Sequence, residues 1–198
     1  MRQIVFTGTV ALAMAAASAF AQTSSSQTAT SGKTTPTASR AKAVHDQTFI
    51  KEAAAGGMAE VELGNLAEQK ANSPEVKSFG KRMVDDHSKA NDELKTLAQS
   101  KNVPLPTSLD ATDQRLKDRL EKLSGPAFDR AYMQAMVRDH KKDVNEFRRE
   151  STSATDPDVK RFAAKTLPTL EDHLKLAQDT GRAVGTSGTT TAKKTTGK

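Results

Sequence analysis

Four residues of this 198-residue chain interrupt apolar helical stripes with side chains able to bind a metal: Glu60, His87, His140 and His173. The stripes recur at three- and four-residue steps, the period of an amphipathic helix. The first runs Phe49, Ala53, Gly56, Glu60, Leu63, Ala67, and the second Val76, Phe79, Met83, His87, Ala90, Leu94. The others are Met133, Val137, His140, Val144, Phe147 and Phe162, Thr166, Leu170, His173, Ala177. Three imidazoles and a carboxylate make a mixed nitrogen and oxygen donor set suited to iron, manganese, copper or zinc. Two copies of M-V-x-D-H-x-K, Met83–Lys89 and Met136–Lys142, place Asp86 and Asp139 one residue before a histidine. There each can serve as a ligand or orient a ring, as can Glu171 beside His173. Asp143 lies one turn beyond His140. The competing reading is a metal-free, hydrogen-bonded layer that sets helix register. His45 belongs to no stripe and receives no role.

The elements that must position these residues are well punctuated. The first long helix covers about Asp46–Ala71. The second has Ser73 as N-cap and Pro74 at its first position, and runs to about Lys101. The third starts at Gly125-Pro126 and runs to about Thr152. The fourth opens on Asp156 and Pro157 and is expected to stop near Gly181. A shorter helix, Ala111–Leu123, falls between the second and third. The four polar residues lie 14, 13, 14 and 16 positions beyond Asp46, Pro74, Pro126 and Pro157. At about 1.5 Å per residue each is roughly 20–24 Å along its helix, so side-by-side packing brings all four to one level. Gly56, Gly57 and Gly64 leave room around Glu60 for a ligand or a close helix. Pro168 should kink or locally open the fourth helix near His173.

Connection lengths set the topology. Few residues join the first helix to the second, or the third to the fourth, so each pair is an antiparallel hairpin. Residues 102–124 are enough to cross the length of a bundle. Two hairpins joined by one long crossover is the ferritin-like four-helix bundle, an all-α fold. Internal similarity supports a duplicated hairpin. Pro74-Glu75-Val76-Lys77-Ser78-Phe79 matches Pro157-Asp158-Val159-Lys160-Arg161-Phe162, and Phe49 with Glu60 has the spacing of Phe128 with Asp139.

The formal net charge is +6, which invites a nucleic-acid reading. Its distribution argues against one. All 24 carboxylates and 22 of the 30 Lys and Arg lie between His45 and Gly181, which leaves that stretch at −2. One tyrosine and no tryptophan provide little to stack on bases, so no nucleic-acid partner is expected. The absence of cysteine excludes disulfides, Cys-based zinc sites, iron–sulfur clusters and a thiol nucleophile. No phosphate loop, G-x-S-x-G elbow or HExxH occurs, so no catalytic motif is recognised. Met1–Ala21 reads as a cleaved signal peptide, with Arg2, an apolar stretch from Ile4 to Ala17, and Ala19-Phe20-Ala21 before Gln22. Residues 22–44 are expected to form a disordered Ser/Thr/Ala linker, 45–181 the bundle, and 182–198 a disordered basic tail. That tail carries Lys193, Lys194 and Lys198 and suits weak contact with an anionic envelope surface.

From A-x-G-G-x-x-E-V-E-L-G (Ala54–Gly64), through M-V-x-D-H and F-D-x-A-Y (Phe128–Tyr132), to L-P-x-L-E-x-H-L (Leu167–Leu174), residues 46–181 resemble the exported bacterial domain-of-unknown-function 4142 family. The resemblance implies a ferritin-like bundle in an exported protein and no established activity; the signal peptide points to the periplasm. Di-iron ferritin-like proteins use Glu-x-x-His on two helices. Here Val84, Val137 and Leu170 stand three before the histidines, so that site is not carried over. Mass spectrometry checks the export reading: the mature chain should begin at Gln22 in the periplasmic fraction. An intact Met1–Ala21 segment in membranes would refute cleavage.

Overall fold

The computed structural model describes residues 36–190, with side chains described from 43 to 185. The expected signal peptide, residues 22–35 of the expected linker and residues 191–198 of the tail lie outside the described residues. Five helices follow in order: α1 Pro36–Lys70, α2 Pro74–Ser100, α3 Ala111–Glu121, α4 Gly125–Ser153 and α5 Pro157–Thr190. Among the described residues there is no strand. α1 packs along α2 and α4 along α5, and α2–α5 and α1–α4 contacts close the bundle. The short α3 of the crossover rests on α1 and α4. This is the all-α bundle read from the sequence.

The two long outer helices exceed their expected ends. α1 begins at Pro36, so residues 36–44 of the expected linker are helical. Proline suits a first helical turn, and the alanines and basic residues that follow are good helix formers. α5 passes through Gly181 instead of stopping there. Val184 falls seven residues after Ala177 and packs on the same apolar core, so the buried stripe extends beyond the glycine. α5 also remains helical through Pro168. The helix is not interrupted beside His173, and the Ala164 carbonyl that loses its donor to Pro168 belongs to an exposed residue, where water can satisfy it.

Both hairpin turns are held by a buried aspartate from the opposite hairpin. Asp129 of α4 accepts the backbone N–H groups of Asn72 and Ser73, each at 2.9 Å. Asp46 of α1 accepts those of Thr155 at 3.1 Å and Asp156 at 2.8 Å. Ser73 stands at the cap position, but its hydroxyl turns to Glu75. Asp46 and Asp129, Asn72 and Thr155, and Ser73 and Asp156 are all separated by 83 positions, the offset that also relates Pro74 to Pro157. The structure therefore supports the duplicated hairpin but corrects one alignment. Phe49 corresponds to Tyr132, four residues from the expected Phe128.

Two apolar clusters fill the interior. One contains Leu63, Phe79, Met83, Phe128, Tyr132, Met136 and Ala177. The other contains Phe49, Ile50, Leu94, Val144, Phe147, Phe162 and Leu170. α1, α2, α4 and α5 each pass from one cluster to the other at their polar residue. α1 and α2 come into backbone contact where Gly64 and Gly80 face each other. A Cβ on Gly80 would lie 2.8 Å from both the Ala67 Cβ and the Gly64 carbonyl oxygen. Gly80→Ala should therefore cost about 1–3 kcal/mol in urea unfolding despite its better helix propensity. Gly185→Ala, which meets open space, should be neutral or stabilising by up to about 1 kcal/mol.

Candidate metal centre

The level predicted from helix register exists. Glu60, His87, His140 and His173 are all buried, and the three rings lie against one another with centroids 5.3–5.8 Å apart. Each ring is held at one nitrogen. His87 Nδ1 is 2.9 Å from Glu60 Oε2. His173 Nε2 is 2.9 Å from Asp86 Oδ2, an oxygen that Arg82 also reaches at 3.3 Å. His140 Nδ1 is 3.0 Å from the Met136 carbonyl, with Glu60 Oε1 nearby at 3.2 Å. A carbonyl only accepts, so the His140 proton sits on Nδ1. The carboxylates place protons on the other two outer nitrogens in the same way.

The inner nitrogens are left over. His87 Nε2, His140 Nε2 and His173 Nδ1 are buried without a hydrogen-bond partner, as is Glu60 Oε1. Such orphaned buried atoms are uncommon and costly. One donor nitrogen from each histidine lies within 4.8 Å of the others. A small inward movement would bring them to one ion, because metal–imidazole bonds are about 2.0–2.1 Å. Anchored at one nitrogen and bare at the other, the rings have the arrangement of metal-binding histidines.

Charge in the layer is set by Glu60. Burial works to raise its pKa, but the charges of His87 and His140 and the hydrogen bond from His87 outweigh it and hold the carboxyl at about 2. Burial opposes protonation of His87, yet Glu60 keeps its pKa above the ordinary value. His173 is pushed down to about 4, by burial first and by the other two rings, in spite of Asp86.

The remaining expected residues separate. Asp86 orients His173. Asp139 makes no hydrogen bond to any of the three rings and lines an adjoining cavity. Glu171 is exposed and pairs with Arg148 at 2.6 Å, so it takes no part in the layer. Its position two before His173 places it roughly 200° around the helix, on the outer face. The cavity has a volume of about 410 Å³ and carries seven carboxylates: Glu52, Glu60, Asp110, Asp113, Asp139, Asp143 and Glu146. Lys142 is the one cationic side chain among its lining residues that is ordinarily charged. Gly56 and Gly57 also line it, while Gly64 serves the close helix contact, so the glycines around Glu60 do both expected jobs. Sequence reading omitted Glu52, Asp110, Asp113 and Glu146. Asp139, Asp143 and Glu146 nevertheless form an i, i+4, i+7 acidic stripe on α4, which was there to be read.

An all-α bundle crossed at mid-height by three buried histidines and a carboxylate defines the class. The chain belongs to the family described as Domain of unknown function (DUF4142), whose signature matches residues 29–180. No curated protein matches the sequence. The fold is similar to that of CopM in the Cu(II)-bound form, with 20% identity, 70% of this chain and 96% of that chain covered, and a TM-score of 0.60. CopM in the Cu(I)-bound form gives 22% identity, 68% and 93% coverage and a TM-score of 0.57. The Ag-bound form obtained by co-crystallization gives 22% identity, the same coverages of 68% and 93%, and a TM-score of 0.56. At these identities the likeness establishes the fold.

Burial first, and then the charge of Glu60, push the Asp139 carboxyl up to about 6 from an ordinary 3.8. A raised carboxyl pKa means that ionised Asp139 destabilises the folded state. Asp139→Asn should therefore stabilise the metal-free protein by about 1–2 kcal/mol at pH 7.5. The gain should shrink as pH falls through about 6 and vanish below 3.8. Urea unfolding with chelator across that range checks it, and a gain that persists at pH 3.5 would contradict the assignment.

Proposed function

We propose that this protein is an exported metal-holding bundle that binds one transition-metal ion, copper foremost, in its mid-height layer. His87 Nε2, His140 Nε2 and His173 Nδ1 would be the nitrogen ligands, Glu60 the nearest oxygen donor, and Glu60 and Asp86 the groups that fix the rings. The observation that carries this reading is the set of three buried ring nitrogens with no partner, each on a ring anchored at its other nitrogen. Imidazole suits copper, zinc, iron and nickel, so the donor set alone does not choose among them. Copper comes first because the similar fold is that of a protein described in Cu(II)-, Cu(I)- and Ag-bound forms. A bound ion would be shielded from solvent by the two apolar clusters, which suits sequestration and a protective role. The carboxylate-lined cavity beside Glu60 provides an anionic approach for a cation.

The second reading is a metal-free layer, favoured by the Glu60–His87 and Asp86–His173 contacts, which form without an ion. The two readings differ in how stability responds to chelator. With copper(II) or silver(I), His140→Ala and His173→Ala should each lose at least 100-fold in affinity, and the double variant should lose little more, because one broken site is not broken twice. Loaded wild-type protein should also exceed each variant in stability by the binding free energy. With chelator that gap should close to about 1–2 kcal/mol, the scale of a lost buried hydrogen bond. If every difference in urea unfolding is the same with and without chelator, the metal reading falls and the layer is structural.

A further inference from the structure

A second group of donors lies where the start of the described side chains on α1 meets the end of α4. Glu150 is fully buried there, and its Oε1 accepts from Arg149 Nε at 2.8 Å. Its Oε2 is buried and has no hydrogen-bond donor. The Nδ1 of His45, on a half-exposed ring, stands 3.3 Å from that oxygen, yet no hydrogen bond joins them. Asp46, itself buried, completes the group, and one donor atom from each of the three lies within 4.8 Å of the others.

Ordinary explanations cover only part of this. Asp46 is needed to hold the α4–α5 turn, and its carboxylate is oriented by the N–H groups of Thr155 and Asp156. A carboxylate fixed in this way is pre-set to receive an ion on a remaining lone pair. The His45–Glu150 contact could be a plain ion pair, but at 3.3 Å it leaves the buried oxygen without a hydrogen bond. The separation suits two ligands of one ion, since a tetrahedral site with bonds of about 2.0–2.1 Å sets its ligands roughly 3.3–3.4 Å apart. One imidazole and two carboxylates carry the charge that neutralises a dication. The exposed side of His45 leaves room for water to complete the coordination.

We propose that His45, Asp46 and Glu150 form a second metal site, open to solvent, for a borderline divalent ion such as zinc(II). It is independent of the central layer and chemically unlike it. Two of its three donors are oxygens, which disfavours silver(I), whereas the central layer offers three nitrogens. An ion bound there would tie the entry of α1 to α4 and, through Asp46, to the α4–α5 turn.

Equilibrium dialysis of the tag-free full chain against zinc(II) and against silver(I), each with metal analysis, tests the site. His45→Ala and Glu150→Gln should each bind one zinc equivalent fewer than the parent and the same amount of silver. Zinc binding by His45→Ala with the parent's stoichiometry and affinity would overturn the proposal. His45 is half-exposed, so this variant should fold even if Glu150→Gln does not, and circular dichroism confirms that. Failure of the central-layer reading would appear separately, as a parent that binds no silver, and the zinc difference would remain readable.

Discussion

The interior of this bundle is organised around one buried carboxylate. An ionised group removed from water is costly unless neighbours compensate its charge and fill its lone pairs. Glu60 meets that demand with His87 at one oxygen and His140 close to the other, drawn from α2 and α4. Each compensating ring brings its own second nitrogen into the interior and must be held in turn. His140 uses a backbone carbonyl one turn back, and His173 uses Asp86, which leans on Arg82. The four long helices meet this charge at mid-height, between the two apolar clusters, where three ring nitrogens are left without a partner.

The layer draws on both hairpins. Glu60, His87 and Asp86 belong to the first, and His140 and His173 to the second. Within the first hairpin α1 and α2 meet at facing glycines, with backbone close to backbone, which permits little adjustment. Between hairpins the contacts are sparser, and the acidic cavity opens on that side beneath the start of α3. Any closing of the rings on an ion is thus more easily made by one hairpin shifting against the other than by rearrangement inside either. The crowd of carboxylates in the cavity has a matching effect. Burial and mutual repulsion raise Asp113, Asp139, Asp143 and Glu146, so this face favours protons or cations.

Much of this was legible in the sequence because helical periodicity is a strong signal and a polar residue inside an apolar stripe has few places to go. Equal distances from the expected helix starts were enough to predict a shared level; α1 in fact begins ten residues before Asp46, but Asp46 stands at the α4–α5 turn, so the count from it still measures depth in the bundle. Angular position was the harder part. Asp86 and Asp139 both precede a histidine by one residue, yet Asp86 reaches a ring from the neighbouring helix and Asp139 faces the cavity, because their helices have different neighbours. Glu171 points outward for reasons of helix geometry alone. The ends of α1 and α5 were misjudged because glycine and low apolar content were taken as stops, whereas Val184 continues the buried stripe of α5. His45 stood outside every stripe, and its value depends on Glu150, 105 positions away and brought near only by the fold.

The 83-residue offset that relates the two turn-holding aspartates has a consequence for the centre. Applied to the layer, it pairs Glu60 with Asp143 and His87 with Leu170, and it pairs His140 with Gly57 and His173 with Ala90. The outer frame is thus repeated while the centre is not. Had two identical hairpins met as separate chains, every residue would arrive twice: two copies of the first would bring two of these imidazoles and Glu60 twice over, and two copies of the second four imidazoles and no Glu60. Fusion into one chain lifts that restriction, because each copy can lose what the other keeps. The crossover that joins the hairpins is therefore more than a tether, since it lets a twofold scaffold hold a lopsided centre with room for an ion.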